Sequence, residues 1–287
     1  MSIPEGLTPM EYMSIMENST AAYELYKTGL YQHCLTTLRE IPEKYLSDSD
    51  KITRLMAYLN LGCYNKCYEE ASNILTKVDN NIARRVVVQS CLMTGQYTLA
   101  DSHINLLDES REDIKPVLNE MAEARAEPAM PPWVAAMGGH IDALKQYLES
   151  HDVNVTFTSG RLGPGSPSLL FLAAANGQTD VIKFLVTKGA DVNVINNGWS
   201  ALHMAILLGY IDVVVTLLEL GADVNIKPSN LTPVQLAAAL NHGPLITLLA
   251  AHKADLAAPM PPIPNMGVSE DVMMTKETRA MRIAALR

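Results

Sequence analysis

Apolar positions along this chain fall on helical spacings, and the helical segments themselves recur at a nearly fixed interval. In the N-terminal third, Gly29-Leu30-Tyr31, Gly62-Cys63-Tyr64 and Gly95-Gln96-Tyr97 stand 33 and 33 residues apart. Three residues beyond each Tyr comes a small side chain, Cys34, Cys67 or Ala100. The apolar pairs Leu38/Ile41, Ala71/Ile74 and Ile104/Leu107 keep the same phase. This spacing predicts one helical hairpin used three times. Gly takes the tight turn at positive φ without Cβ strain, and Tyr opens the second helix. The small residue admits close helix–helix approach, and the later positions complete a buried stripe. The run 110–127 predicts one more helix, acidic near its start, capping the array.

A second period organises the C-terminal half. Residues 173–177 answer to 205–209, and Gly189-Ala190-Asp191-Val192-Asn193 answers to Gly221-Ala222-Asp223-Val224-Asn225, each pair offset by 32. A fixed period of this size with a Gly-Ala-Asp turn closing each unit predicts stacked helix pairs. The phase continues upstream through 133–140, a helix at 141–148 and a shortened turn at Asp152-Val153-Asn154. Downstream it runs through 232–238 and closes at Lys253-Ala254-Asp255. Gly139 to Gly177 is 38 residues, against 32 from Gly177 to Gly209. The surplus lies in a Gly/Pro/Ser loop at 156–167, inserted between the first two units.

The second array resembles the ankyrin family. Ser200-Ala201-Leu202-His203 matches that family's Thr-Pro-Leu-His signature best, Thr232-Pro233-Val234-Gln235 is a second version, and Trp133 stands where the family usually has His. The first array is similar to the tetratricopeptide family over roughly 10–110. Its second helices carry that match; at the first helices Asn18, Lys51 and Arg84 stand where the family favours a large aromatic. Together the resemblances imply an all-α fold, a double helical-repeat solenoid. The expected divisions are 1–128 (tetratricopeptide-like hairpins with a capping helix), 129–257 (four ankyrin repeats, insertion at 156–167) and 258–287 (proline-rich linker and C-terminal tail).

The ankyrin resemblance also implies a site. In that family the two residues before the Gly of each first helix face a concave groove. Here they are Met137-Gly138, Ala175-Asn176, Leu207-Leu208 and Ala239-Leu240, the last before Asn241 in place of Gly, a largely apolar stripe. With the finger positions, the candidate protein-binding residues are Met137, Asn176, Asn197, Trp199, Leu207, Leu208, Asn230 and Leu240. An exposed apolar patch of this kind is covered either by a partner or by the chain's own N-terminal array, loop or tail. The Met and Tyr residues of 9–28 (Met10, Tyr12, Met13, Met16, Tyr23, Tyr26) have two readings as well: a groove for a helical ligand, or core plus one exposed flank.

Composition narrows the classes. Hydrophobic content is 48% and charged content 18%, which is globular rather than disordered. The net charge of −9 argues against a nucleic-acid surface, which needs clustered Lys and Arg. Residues 1–128 hold 12 Lys+Arg against 19 Asp+Glu and are the most acidic part. No run is apolar and long enough to predict a membrane span, and the first residues lack the basic and apolar regions of a signal peptide. The four Cys lie in the first third and read as reduced thiols of a cytoplasmic-type compartment, with nuclear or ciliary residence as alternatives.

Chemistry is sparse. Cys63 and Cys67 lack further ligands at metal spacing and read as structural, and the ankyrin resemblance gives His140, His203 and His242 structural places. There is no nucleophile elbow, His-Glu-x-x-His motif or phosphate loop, so neither an enzyme nor a cofactor is expected. The carboxylate clamp of some tetratricopeptide proteins would fall on Ser19, Tyr23, Thr53, Ile82 and Val86, which hold no cation, so chaperone-tail binding is not expected. The reading is a non-enzymatic protein-binding scaffold or adaptor. Its alternative is a fixed component of a cytoskeletal or ciliary assembly, and a remote third is an enzyme.

Overall fold

The first helix of most hairpins in this protein begins at a capping side chain and ends where Gly reverses the chain. The computed structural model describes residues 7–77, 80–104, 130–158, 162, 165–228 and 231–257. The helix expected at 110–127, the segment 258–287 and Asn230 lie outside the described residues. The chain divides into two compact units. The first holds residues up to 152 with 157, 158 and 162, and the second holds 153–156 with 165 onward.

Three helical hairpins lead the first unit: α1 (Pro9–Lys27) with α2 (Tyr31–Leu38), α3 (Asp48–Asn60) with α4 (Tyr64–Leu75), and α5 (Asn81–Met93) with α6 (Tyr97–Ile104). Thr8 and Glu11 form a capping box on α1, Ser47 and Asp50 form one on α3, and Asn80 accepts from Ile82 and Ala83 at the start of α5. Each box satisfies two of the four free N–H groups of a helix start. The turns between paired helices hold Gly29, Gly62 and Gly95 at φ of 79°, 71° and 73°. Tyr31, Tyr64 and Tyr97 are then the first residues of α2, α4 and α6, and Cys34, Cys67 and Ala100 are fully buried, so each second helix lies close against its neighbours. Successive hairpins pack on one another, and the Ser19 hydroxyl on α1 donates to Asp50 on α3.

Between the first two hairpins the chain makes a short 3-10 turn, Glu43–Tyr45. Arg54 on α3 anchors it. Its guanidinium donates to Glu43 through two bonds (2.7 and 3.0 Å) and to Glu70 on α4 through a third (2.7 Å). Burial works against the charge of Arg54. The two carboxylates outweigh it, and the guanidinium pKa ends above its ordinary value.

A fourth hairpin, α7 (Pro132–Gly138) with α8 (Ile141–Leu148), belongs to the same unit. The Pro/Ala-rich stretch at 127–132 therefore does not separate the compact units, and the division falls instead at 152–165. Two contacts explain why. His140 Nε2 donates to the carbonyl of Thr94 at the end of α5 (3.0 Å), and a Cβ on Gly138 would sit 2.1 Å from that same oxygen. Only Gly lets α7 come this near to α5. Trp133 on α7 also meets Phe157 edge-on at 5.3 Å.

The second unit stacks α9 (Leu169–Ala175) with α10 (Thr179–Thr187), α11 (Ala201–Leu208) with α12 (Ile211–Glu219), and α13 (Pro233–Ala239) with α14 (Gly243–Ala251). A finger of two short antiparallel strands, β1 (Ile195–Asn196) and β2 (Trp199–Ser200), precedes α11. Its turn is Asn197-Gly198, both at positive φ (48° and 77°), a pair that suits the twist of a tight hairpin. The repeated Asp-x-Asn motif serves as the tie between repeats. Asp191 N–H donates to Asn154 (2.9 Å), Asp223 N–H to Asn193 (2.8 Å) and Asp255 N–H to Asn225 (2.8 Å). Each Asp side chain meanwhile accepts from the backbone two residues on, which holds the turn that presents it.

Candidate protein-binding surface

Everything the sequence nominates for binding in the second unit depends on the faces of α9, α11 and α13. Helix α11 packs on α9 on one side, on α13 on the other and on α12 behind. Its residues, Ala201-Leu202-His203-Met204-Ala205-Ile206-Leu207-Leu208, carry one polar side chain in eight, and every one is buried. A helix apolar all round belongs inside.

The expected exposed stripe is therefore corrected. Leu207 and Leu208 are core residues, Met137 is buried on α7, and Asn176 is buried at the end of α9 with its side-chain amide donating to Leu172 O (3.0 Å). Leu240 is half-buried just past α13. Of the finger positions, Trp199 is buried and stands edge-on to His203 at 5.8 Å between ring centres. Asn197 is exposed at the turn, and Asn230 lies outside the described residues. On α9 and α11 the physical reason is the same: closely spaced small residues such as Ala173, Ala174 and Ala205 bring the first helices of this unit together and close the faces between them.

The large apolar side chains that remain uncovered in this unit were not singled out by sequence. Ile195 on β1 is 51% exposed beside Asn197, and Ile211 at the start of α12 is also exposed. Ile195 alternates with buried Asn196, so strand alternation was the available signal. The inserted loop returns against this finger, since a Cβ on Gly165 would meet the Asn196 side chain at 2.3 Å. Thr156 and Ser168 pair as an isolated bridge at the loop's base.

His203 is a buried tie rather than an acid or base open to substrate. Its Nε2 donates to Leu231 O (2.9 Å), and its Nδ1 accepts from the Ser200 hydroxyl (2.7 Å), which fixes the neutral tautomer. Burial pulls its pKa down to about 4, against a smaller opposite pull from the Leu231 carbonyl. The four cysteines of the first unit are free and buried. Burial pushes the Cys34 thiol up to about 12 and Cys91 up to about 11, and Cys63 and Cys67 also move up, so none is a ready nucleophile. A cleft of about 310 Å³ lies over Arg54, lined by Leu38, Tyr58 and the Glu43 and Glu70 carboxylates. The charges of Arg54, Glu43 and Glu70 are spent on one another, holding the 3-10 turn to α3 and α4.

Comparison with known proteins bears on the middle of the chain. Residues 133–228 match the family model for ankyrin repeats, in three copies.

These residues are ankyrin repeats. Such repeats generally mediate protein–protein interaction, and the family is generally non-enzymatic. Over 72 residues, a quarter of this chain, the sequence is 33% identical to the Notch-regulated ankyrin repeat-containing proteins of Homo sapiens and Mus musculus, covering 62% of their length. Over a stretch of equal length it is 39% identical to Alpha-latrocrustotoxin-Lt1a of Latrodectus tredecimguttatus, covering 5% of that protein. The similarity thus spans less than two thirds of each relative. The matched region begins on α7, in the first compact unit, and continues into the second. Among the described residues no helix is long and apolar enough to cross a membrane.

Proposed function

We propose that this chain is a non-enzymatic protein-binding scaffold whose ankyrin repeats hold a protein partner along the rim of the finger. The observation that carries the reading is the finger itself. Ile195 stands half exposed beside the Asn197-Gly198 turn, on a base fixed by buried Trp199 and by the asparagine ties between repeats. An exposed apolar side chain held by a rigid support loses little conformational entropy on binding. Residues 231–257 lie beyond the matched copies, and we read α13 and α14 as a fourth repeat of the same kind. Thr232 caps α13 as Ser200 caps α11, and Asn225 ties the last turn as Asn193 ties the one before. The N-terminal hairpins we read as a tetratricopeptide-like array offering a second face, which makes the chain an adaptor.

The test is proximity labelling with the wild-type chain beside Ile195→Glu, both checked by thermal melting. The reading expects the charged variant to melt as the wild type does and to lose a defined subset of labelled proteins. An unchanged set with intact folding would overturn the finger as the working surface. Salt-resistant sedimentation of both forms with an insoluble cell fraction would favour a fixed structural component instead.

A further inference from the structure

Helix α1 carries two apolar stripes on opposite faces, and the fold uses one of them. Ile15, Asn18, Ala22 and Leu25, spaced 3, 4 and 3, turn inward; Ala22 and Leu25 are buried and the other two half-buried, where α1 packs on α2 and α3. Met13, Met16, Thr20, Tyr23 and Lys27, spaced 3, 4, 3 and 4, turn outward, and all five are exposed. Met13 is 62%, Met16 45% and Tyr23 47% exposed, and Met10, one step earlier, is 82%.

That outer spacing is the seam by which one helix packs along another. The polar members of the stripe are already occupied. The Thr20 hydroxyl donates to Met16 O (2.9 Å), and the Lys27 ammonium sits over the Tyr23 ring at 4.5 Å. Flexible Met side chains suit a surface that adapts to a partner. Beside the stripe Glu17 and Glu24 take equivalent positions seven residues apart, both exposed. Lys27 reaches Glu24 at 3.2 Å, an exposed pair of small worth that a partner cation can replace.

We propose that this outer face of α1 docks one amphipathic helix of another protein, with apolar anchors at 3–4 spacing and Lys or Arg opposite Glu17 and Glu24. Charge decides against a second copy of the chain. Antiparallel pairing of two α1 helices sets Glu17 and Glu24 against the same acids, and parallel pairing sets Glu17 against Tyr12 and Glu24 against Ser19, neither a cation. This surface belongs to the first unit and the finger to the second, and each has its own variant, so the two readings fail independently.

The experiment uses the full-length chain and fluorescence anisotropy with a defined probe. The probe is an 18-residue helical peptide with Leu at 3–4 spacing and Lys on both flanks; its twin has Glu in place of Lys. The Lys peptide should bind at least tenfold tighter than its twin. Met13→Glu/Met16→Glu should weaken it at least tenfold although the variant is more acidic, and Glu17→Lys/Glu24→Lys should reverse the preference between the peptides. Ile195→Glu should leave binding unchanged. The proposal is overturned if the Met variant binds as well or better, since the attraction is then to acidity alone. It is overturned equally if sedimentation shows a wild-type dimer that the Met variant abolishes. A tenfold gain in affinity on Arg279→Glu/Arg282→Glu/Arg287→Glu would make the chain's own tail the occupant and would also overturn it.

Discussion

Protonating His203 should loosen the ankyrin unit, and the size of the effect follows from its surroundings. The ring is buried between Ser200, Trp199 and the Leu231 carbonyl, and its pKa lies near 4 in the fold against an ordinary value of 6.5. Between those values the unfolded chain holds a proton that the folded chain does not. Stability therefore rises with pH through this window, is complete above about 6.5, and is lost as pH falls towards 4. The gap between the two values corresponds to about 3 kcal/mol. The comparison variant is His203→Gln, because the chain itself places Gln235 at the same position one repeat later, with its side chain accepting from Thr232 N–H (2.8 Å). In a Trp133→Phe background Trp199 is the remaining indole and reports on this unit alone. Urea midpoints taken from pH 4 to 8 should fall more steeply with acid for the histidine form than for the glutamine form. The difference should build up between pH 6.5 and 4 and reach about 3 kcal/mol, whatever offset separates the two at pH 8. Parallel pH profiles would refute the reasoning, because they would mean that the imidazolium is tolerated where the structure leaves it no water.

Leu207→Ala should lower the stability of the second unit by about 2–5 kcal/mol, the usual cost of a cavity at a fully buried Leu, read as a shift in the urea midpoint. Leu207→Glu should prevent the unit from folding at neutral pH, seen as loss of the Trp199 transition, because its charge would be buried without a partner. Asn193→Ala removes the acceptor for Asp223 N–H and should cost about 1–2 kcal/mol, with faster hydrogen exchange at that amide as the local signature. Gly138→Ala places a methyl 2.1 Å from Thr94 O and should cost about 1–3 kcal/mol in the first unit while leaving the Trp199 transition unchanged.

Local backbone requirements were legible along the chain, because each is met by residues a few positions apart. Gly29, Gly62 and Gly95 mark turns at positive φ, the Tyr two places later starts each second helix, and Cys34, Cys67 and Ala100 mark close approach. The offset of 32 likewise marks stacked helix pairs, since a repeated turn motif is local chemistry used again. Burial across repeats was not legible. Whether Leu207 and Leu208 face a groove or a neighbour depends on how near α9 and α13 come, and that is set by small residues some thirty positions away. The division between units fell at 152–165 rather than at the prolines, because His140 and Gly138 hold the fourth hairpin on Thr94, more than forty residues earlier. The outer stripe of α1 has the same cause in reverse. Its two faces are equally apolar in sequence, and only packing on α2 and α3 decided which one became core and which stayed open to a partner.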